Sequence, residues 1–305
     1  MKRNKPYLRR ILALWRLLEM QAWRLVRRFY LRVIILLLPF IIVLGVWSLW
    51  IEPDSLTVKA VALELPGWSP NLKQFKIVAL SDFHVGSPHI TLEKLHTIVQ
   101  LTNEQKPDLI VLLGDYVIQG VIGGQFTEPE DFVDVLKDLK AEHGVYAVLG
   151  NHDWIYGDER ITQAFERVGI PVLTNDAVEI KHNGDGFWLA GIGDYFSRHQ
   201  DIEKALAKIN SPEPIIVITH TPDIFLKLPP QVTLTLAGHT HGGQVNLPLL
   251  GRRIVPSDFG EKYAIGYVEE NGRRLFVTPG IGTSIFPVRF RVPPEISVLT
   301  INAKK

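Results

Sequence analysis

An uncharged apolar run of nineteen residues is the feature that most constrains this chain. Residues 33–51 read VIILLLPFIIVLGVWSLWI, and a helix needs about 20 apolar residues to cross the hydrocarbon core of a bilayer. Pro39 and Gly45 are tolerated in such a helix, and Trp47 and Trp50 suit the membrane interface. Because no small-residue cleavage site follows, we expect an uncleaved transmembrane anchor. A buried core helix is the alternative.

Positive charge is concentrated before this run. The first 32 residues carry a net charge of +9, and the rest of the chain carries −8. A helical wheel separates arginines from apolar residues, which predicts a basic amphipathic segment over residues 1–32 that lies on anionic lipid. A solvated arm without order is the alternative. The basic excess predicts that the amino end is cytoplasmic and that the body lies on the outer face of a bacterial cytoplasmic membrane.

Apolar runs of strand length alternate with helix-like stretches in the body. A polar, Pro-containing segment at residues 52–70, which we interpret as a linker, precedes them. The first three runs, at 75–81, 109–114 and 145–150, are separated by helix-like composition at 92–105 and 130–142. This order predicts a largely parallel sheet in one α/β domain over residues 71–305. Further runs follow at 187–190, 215–219, 233–237, 275–278 and 296–301.

Five of these runs finish in a residue that can bind a metal: Asp82, Asp115, Asn151, His220 and His239. In an open α/β sheet, ligands gather at the carboxyl ends of the strands, so these residues can converge on one pocket. His84 and His241 follow two positions after Asp82 and His239, and extended backbone would aim each pair at one face. Glycine before Asp115, Asn151 and His239 would allow close backbone approach.

The chain has no cysteine, which excludes disulfides, iron–sulfur clusters and thiol catalysis. Any metal must therefore be held by carboxylate, imidazole or amide oxygen, a mixed set that suits manganese, iron or zinc better than calcium. The acidic body is a poor nucleic-acid binder, so we expect no nucleic-acid partner and disfavour a nuclease.

Five ordered motifs carry a resemblance to a known family: Asp82-Phe83-His84, Gly114-Asp115, Gly150-Asn151-His152-Asp153, His220 and Gly238-His239-Thr240-His241. They resemble the calcineurin-like metallophosphoesterase family, and the resemblance covers residues 76–301. It implies a four-layer α-β-β-α sandwich, in which two sheets pack between helices. Residues 238–244, 280–284 and 293–296 are similar to a membrane-associated branch that includes the YaeI and YkuE phosphodiesterases. Asp115 is followed by Tyr-Val-Ile-Gln rather than Asp-Arg-Gly, which argues against the phosphoprotein substrates of the protein-phosphatase branch.

The resemblance also implies a phosphoester hydrolase with two divalent metal ions. It assigns Asp82, His84 and His241 to one metal, Asn151, His220 and His239 to the other, and Asp115 as the bridge. A hydroxide held between two such metals would attack the phosphorus in line. We expect His152 to protonate the leaving group and Asp153 to orient the His152 ring.

We expect the substrate to be amphiphilic, a lipid-linked phosphodiester or pyrophosphate, because the span holds the body near the bilayer. One alternative is the pyrophosphatase reaction of relatives that cleave UDP-2,3-diacylglucosamine, a cytoplasmic substrate that conflicts with the predicted topology. A non-catalytic scaffold that kept the fold is another. The segment LPLL at residues 247–250 is either a lip for an acyl chain or a packed loop.

Other charged and titratable residues fall outside the motifs. Four arginines near the carboxyl end either grip a second phosphate or are solvated loop charges: Arg252, Arg253, Arg289 and Arg291. Five histidines are expected to face solvent: His89, His96, His143, His182 and His199.

Overall fold

The computed structural model describes residues 5–182 and 184–304, and the chain divides into the units Met1–Trp47 and Ser48–Lys305. In the first unit, a single helix, α1 (Lys5–Val46), contains both the basic segment and most of the apolar run, with Pro39 inside it. Residues 1–4 of the predicted basic segment lie outside the described residues. By length and composition, the helix over Arg10–Ile51 is long and apolar enough to cross a membrane.

The interpretation of residues 52–70 as a linker is wrong, because this segment is part of the second unit. After a π-helical turn at Trp47–Ile51, β1 (Thr57–Leu65) pairs along its whole length with β11 (Glu295–Ala303). The Ser48 carbonyl accepts a hydrogen bond from the Arg289 N–H at 2.9 Å. The buried Glu52 carboxylate accepts one from the Val292 N–H at 2.6 Å. The folded body therefore begins at Ser48, not at residue 71.

The first sheet has the order β1-β11-β2-β3-β4. Its other strands are β2 (Phe75–Leu80), β3 (Leu109–Leu112) and β4 (Val145–Ala147). All its pairings are parallel except that of β11 with β2. The neighbouring helices are α2 (Leu92–Glu104), α3 (Pro129–Leu136), α4 (Asn151–Tyr156) and α5 (Asp158–Arg167). Helix α3 ends six residues before the predicted stretch does, since the chain turns there and buries Leu139 in the core.

The second sheet has the order β5-β6-β7-β8-β10-β9. Its inner pairings are parallel, and an antiparallel hairpin closes each side. The strands are β5 (Asp176–His182), β6 (Asp185–Gly191), β7 (Ile215–Ile218), β8 (Val232–Ala237), β9 (Gly266–Glu270) and β10 (Arg273–Val277). Helix α6 (Ile202–Leu206) lies beside β5 and β6.

Alternation along the strands produces the layers. In β2, Ile77 and Ala79 join the apolar core that the two sheets share, whereas Val78 and Leu80 join the core formed with the helices. The predicted four-layer α/β sandwich is thus confirmed. Strands β2, β3, β4, β7 and β8 end at one edge of this sandwich, where the polar motifs follow them.

Candidate metal centre

Side chains from both sheets converge at this edge, and they include every predicted ligand. All seven are buried, with at most 6% of the residue exposed: Asp82, His84, Asp115, Asn151, His220, His239 and His241. Ligand atoms of six of these residues, all except Asn151, fall into groups that could each hold a metal ion. One group joins Asp82, His84 and His241, another joins Asp115, His220 and His239, and a third brings His152 against His84 and Asp115.

Asp115 lies between the first two groups. Its Oδ2 is 3.2 Å from His220 Nε2 and 3.7 Å from His84 Nε2. On one side, His241 Nε2 is 3.3 Å from Asp82 Oδ1 and 3.2 Å from His84 Nε2. On the other side, His239 Nδ1 is 3.1 Å from His220 Nε2. Ligand atoms that share one cation at 2.0–2.2 Å lie about 3.0 to 3.4 Å apart, so most of these spacings match a shared cation.

Several polar atoms of the cluster lack a hydrogen bond within the described part of the chain. They include Asp82 Oδ1 and Asn151 Oδ1, both of which are buried. Leaving such atoms unpaired away from water is costly, and native proteins rarely do so. Divalent cations would satisfy these atoms, so the residues present fit the metal pair that the family resemblance implies.

Most of the ligand residues have a left-handed backbone conformation rather than an extended one. The prediction that extended backbone aims the ligand pairs at one face is therefore wrong. Five of the seven have positive φ angles: Asp82 (55°), His84 (43°), Asp115 (58°), His239 (67°) and His241 (50°). This conformation is uncommon for residues other than glycine and clusters at functional sites. The ligand pairs are therefore aimed by tight turns at the strand ends and not by strand alternation.

The glycines that precede the ligands allow the expected close approach. A Cβ on Gly150 would lie 2.2 Å from Asp115 Oδ1, and one on Gly238 would lie 2.7 Å from Asp82 Oδ2. Real Cβ atoms do not come this close, so a side chain at either position would displace a carboxylate. The prediction that glycine is needed here is confirmed.

Burial and charge determine the protonation of the cluster. Burial lowers the pKa of His84 and of His239 to about 4, and it raises the pKa of Asp82 to about 6. Although burial opposes protonation of His220, the adjacent Asp115 carboxylate raises the pKa of His220 to about 10. In the metal-free protein, the His220–Asp115 pair therefore holds a proton that a cation would displace.

Asp153 does not orient the His152 ring, and that prediction is wrong. Its fully buried carboxylate accepts hydrogen bonds from backbone N–H groups at 2.8–3.2 Å, those of Asp115, Tyr116, Val117 and Gly150. His152 itself lies beside the cluster, with Nε2 at 3.9 Å from Asp115 Oδ2 and 18% of its side chain exposed. Asp153 therefore shapes the site through the backbone rather than through His152.

Arg289 is neither a phosphate ligand nor a solvated charge. Its guanidinium is fully buried and donates to the carbonyl groups of four residues: Pro279, Gly280, Gly282 and Val292. The segment that it holds packs behind the first ligand, since the Gly282 N–H donates to the Asp82 carbonyl. Its neighbours Val288 and Phe290 are apolar, but an irregular loop has no periodicity that would predict this structural role.

An apolar cleft of about 390 Å³ adjoins the cluster. Thr240 and His241 contribute polar groups to its lining, and Arg253 contributes a positive charge. Its apolar walls come from two loops: Val245, Leu247, Ile254, Pro256, Ile285, Phe286 and Val288. Leu247 thus faces the cleft, and Leu249 and Leu250 are exposed, which favours the lip over the packed loop for residues 247–250. Of the apolar segments that line the cleft, the sequence predicts only the one at residues 247–250.

The fold and the cluster define a class, that of two-sheet α/β sandwiches with paired metal-binding groups at the strand ends. Residues 75–243 match the family model described as calcineurin-like phosphoesterase, and the chain belongs to this family. Members of the family typically bind two divalent metals, and membership supports the interpretation of this chain as a phosphoester hydrolase.

Three relatives show the extent of the similarity. The chain is 33% identical over 232 residues to the uncharacterized metallophosphoesterase YkuE of Bacillus subtilis, which covers 75% of this chain and 79% of that protein. It is 33% identical over 251 residues to phosphodiesterase YaeI of Escherichia coli, with 77% and 89% covered. It is 30% identical over 260 residues to a transmembrane protein with metallophosphoesterase domain of Danio rerio, with 80% and 57% covered.

We expect Asp115→Asn to lower metal occupancy at both positions together, because its carboxylate lies against ligand atoms of both groups and an amide lacks the negative charge. Elemental analysis of the purified protein measures this. Asp131→Asn, a change at an exposed acid on α3, is the control and should keep wild-type occupancy. Two fully occupied metal positions in Asp115→Asn would contradict a bridging role.

Proposed function

We propose that the protein is a membrane-anchored, dinuclear metal-dependent hydrolase that cleaves a phosphodiester or pyrophosphate in a lipid-linked substrate. The observation that carries this proposal is that His241 belongs both to the candidate metal centre and to the lining of the apolar cleft. A phosphoryl group at the cluster would lie beside this apolar cleft. A soluble phosphoester has no alkyl chain to place in the cleft.

In this proposal, Asp82, His84 and His241 hold one cation, Asn151, His220 and His239 hold the other, and Asp115 bridges them. Manganese, iron and zinc suit this mixed ligand set. When bound, the two cations supply Lewis acidity and a water of lowered pKa for in-line attack on phosphorus.

The chain orients the two carboxylates through the backbone. Asp82 Oδ2 accepts the His239 N–H at 3.0 Å, and Asp115 Oδ1 accepts the His152 N–H at 2.9 Å. The other oxygen of each carboxylate, Asp82 Oδ1 and Asp115 Oδ2, is the one that lies near the imidazoles. This division of roles supports the ligand assignment.

His152 is the group that we propose as the general acid. Its imidazole is more exposed than the buried ligands, and its ring lies edge-on to that of His84 with the centroids 4.8 Å apart. An imidazole at the rim of the cluster can protonate a leaving oxygen that the buried ligands do not reach. Because His152 also belongs to one metal-binding group, the test must separate an acid from a ligand.

We expect His152→Asn to retain both metals and to lower kcat by about 10² to 10⁴ on substrates with poor leaving groups, with a smaller loss on an activated aryl ester. Elemental analysis and kcat for a pair of such substrates measure these effects. Loss of a metal would make His152 a ligand, and an unchanged kcat on the poor substrate would remove it from the reaction.

The cleft supports a lipid-linked substrate over a soluble one. Its walls are mainly apolar, and burying an alkyl chain against them gains about 25 cal/mol per Å² of apolar surface removed from water. Arg253 adds a positive charge to the lining of the cleft, which also includes His241. A cleft that combines apolar walls with a positive charge and a metal ligand fits a phosphorylated lipid.

We expect Ile254→Glu and Phe286→Glu to lower the ratio of kcat/KM on a phosphorylated lipid in vesicles to kcat/KM on a soluble chromogenic diester, by about tenfold or more. A carboxylate in the cleft would have to be desolvated against the alkyl chain. Both native side chains are exposed, so the fold should tolerate the change. Leu92→Glu, at an exposed apolar residue in the first turn of α2, is the control.

An unchanged ratio in both cleft variants would remove the cleft from substrate binding. Parallel assays on a lipid phosphodiester and on a nucleotide-lipid pyrophosphate distinguish the two proposed bond types. Inactivity on every phosphoester, with metals bound, would favour the non-catalytic scaffold.

The proposal also includes the location: a single span in a bacterial cytoplasmic membrane, with the amino end in the cytoplasm and the body on the outer face. The uncharged run and the basic residues that precede it support this orientation. The named transmembrane relative of Danio rerio supports membrane association.

Because the chain has no cysteine, single cysteines report which side of the membrane each part occupies. On intact spheroplasts, we expect a membrane-impermeant maleimide to label Glu104→Cys in the body and not Tyr7→Cys in α1. Both positions are exposed, so both should react after lysis. The reverse pattern would overturn the topology.

A further inference from the structure

A second cluster of metal-binding side chains lies at the opposite end of the sandwich. His143 precedes β4, and His182 ends β5, whereas the candidate metal centre lies beyond the carboxyl ends of the strands. Both histidines are half-buried, with 14% and 21% of their side chains exposed, which corrects the expectation that they face solvent. Glu142 completes the group.

The three side chains present ligand atoms at distances that suit one cation. His143 Nε2 is 2.8 Å from His182 Nδ1, and Glu142 Oε1 is 3.8 Å and 3.9 Å from these two nitrogens. A point about 2.1 Å from all three atoms exists within this triangle, which matches the Zn–N and Zn–O bond lengths of 2.0–2.2 Å. We propose that Glu142, His143 and His182 bind one zinc-class divalent cation that links the two sheets.

The positions of the ligands are set by rigid parts of the fold. The His143 N–H donates to the Asp108 carbonyl at 2.8 Å, and the Asp108 carboxylate accepts the Lys76 N–H at 2.6 Å. His143 is thereby attached to the first sheet. His182 belongs to β5 of the second sheet, where it pairs with Asp185 of β6.

Phe75 holds the two imidazoles in place. The ring of this fully buried residue stacks on His143 with the centroids 5.6 Å apart, and His182 meets it edge-on at 5.7 Å. Two ligands whose rotamers are restricted by packing lose little entropy when a cation binds. The site is therefore largely preorganised, with only the exposed Glu142 left to be ordered.

A hydrogen bond between the two imidazoles explains the short distance between His143 Nε2 and His182 Nδ1, but it does not explain the position of Glu142. At 3.8 Å and 3.9 Å, the Glu142 oxygen is too far from either nitrogen for a hydrogen bond but is close enough to share a cation with both. Two imidazoles and one carboxylate favour zinc, copper or nickel over magnesium or calcium. A cation held here would tie the β5–β6 hairpin to the first sheet.

The test uses the full chain with manganese at the candidate metal centre and zinc as the added probe. Zinc bound per chain and the rise in Tm on zinc addition are compared in the wild type, His143→Gln, His182→Gln and Glu142→Gln. His96→Gln, at an exposed histidine on α2 outside the cluster, is the matched control. Zinc that replaces manganese does so equally in all five proteins, so differences between them isolate this cluster.

We expect the wild type and His96→Gln to bind one more zinc per chain than His143→Gln or His182→Gln, with a rise in Tm larger by about 5 °C. Glu142→Gln should keep the fold and bind this zinc about tenfold more weakly, which tests the site even if the histidine variants fold poorly. Equal zinc stoichiometry in all the folded proteins, with equal shifts in Tm, would overturn the proposal and leave a hydrogen-bonded histidine pair.

Discussion

One buried carboxylate holds together the loops on which the metal centre depends. Asp153 accepts hydrogen bonds from backbone N–H groups in two places, the segment that follows β3 and the start of α4. Each of these buried donors would cost about 1 to 3 kcal/mol if left unpaired. The positions of Asp115, Asn151 and His152 follow from this arrangement, so the cluster is anchored by backbone hydrogen bonding before any cation binds.

The strands that sequence reasoning identified are mainly the interior strands, and the three it missed lie at sheet edges. A strand covered on both faces needs apolar side chains at nearly every position, so β3 and β7 appear as continuous apolar runs and β2 as a run with one lysine. Strands β1, β5 and β9 have one neighbour each, and each exposes two or more of its residues. Their mixed composition resembles that of a connecting segment, which is why the sequence predicts a linker where β1 lies.

The ligand candidates were visible in the sequence because chemistry limits which residues they can be and the family fixes their order. Their geometry was not visible. The direction of Asp82 or His239 depends on a left-handed φ angle, and a hydrophobic pattern reports periodicity but not single torsion angles. The cleft was hidden for another reason, since its walls come from loops some forty residues apart that have no repeating pattern.

Strand β11 comes last in the sequence, yet it lies between β1 and β2 in the first sheet. Its register joins Thr57 to Glu295 and Phe75 to Ile301, contacts that span more than 200 residues. Pairings this distant in sequence make folding slow, because a long loop must close before they form. The first sheet cannot close until residues 295–303 have been synthesised. A nascent body that lacks them leaves β1 and one edge of β2 without their partner strand, so its first sheet stays incomplete throughout synthesis.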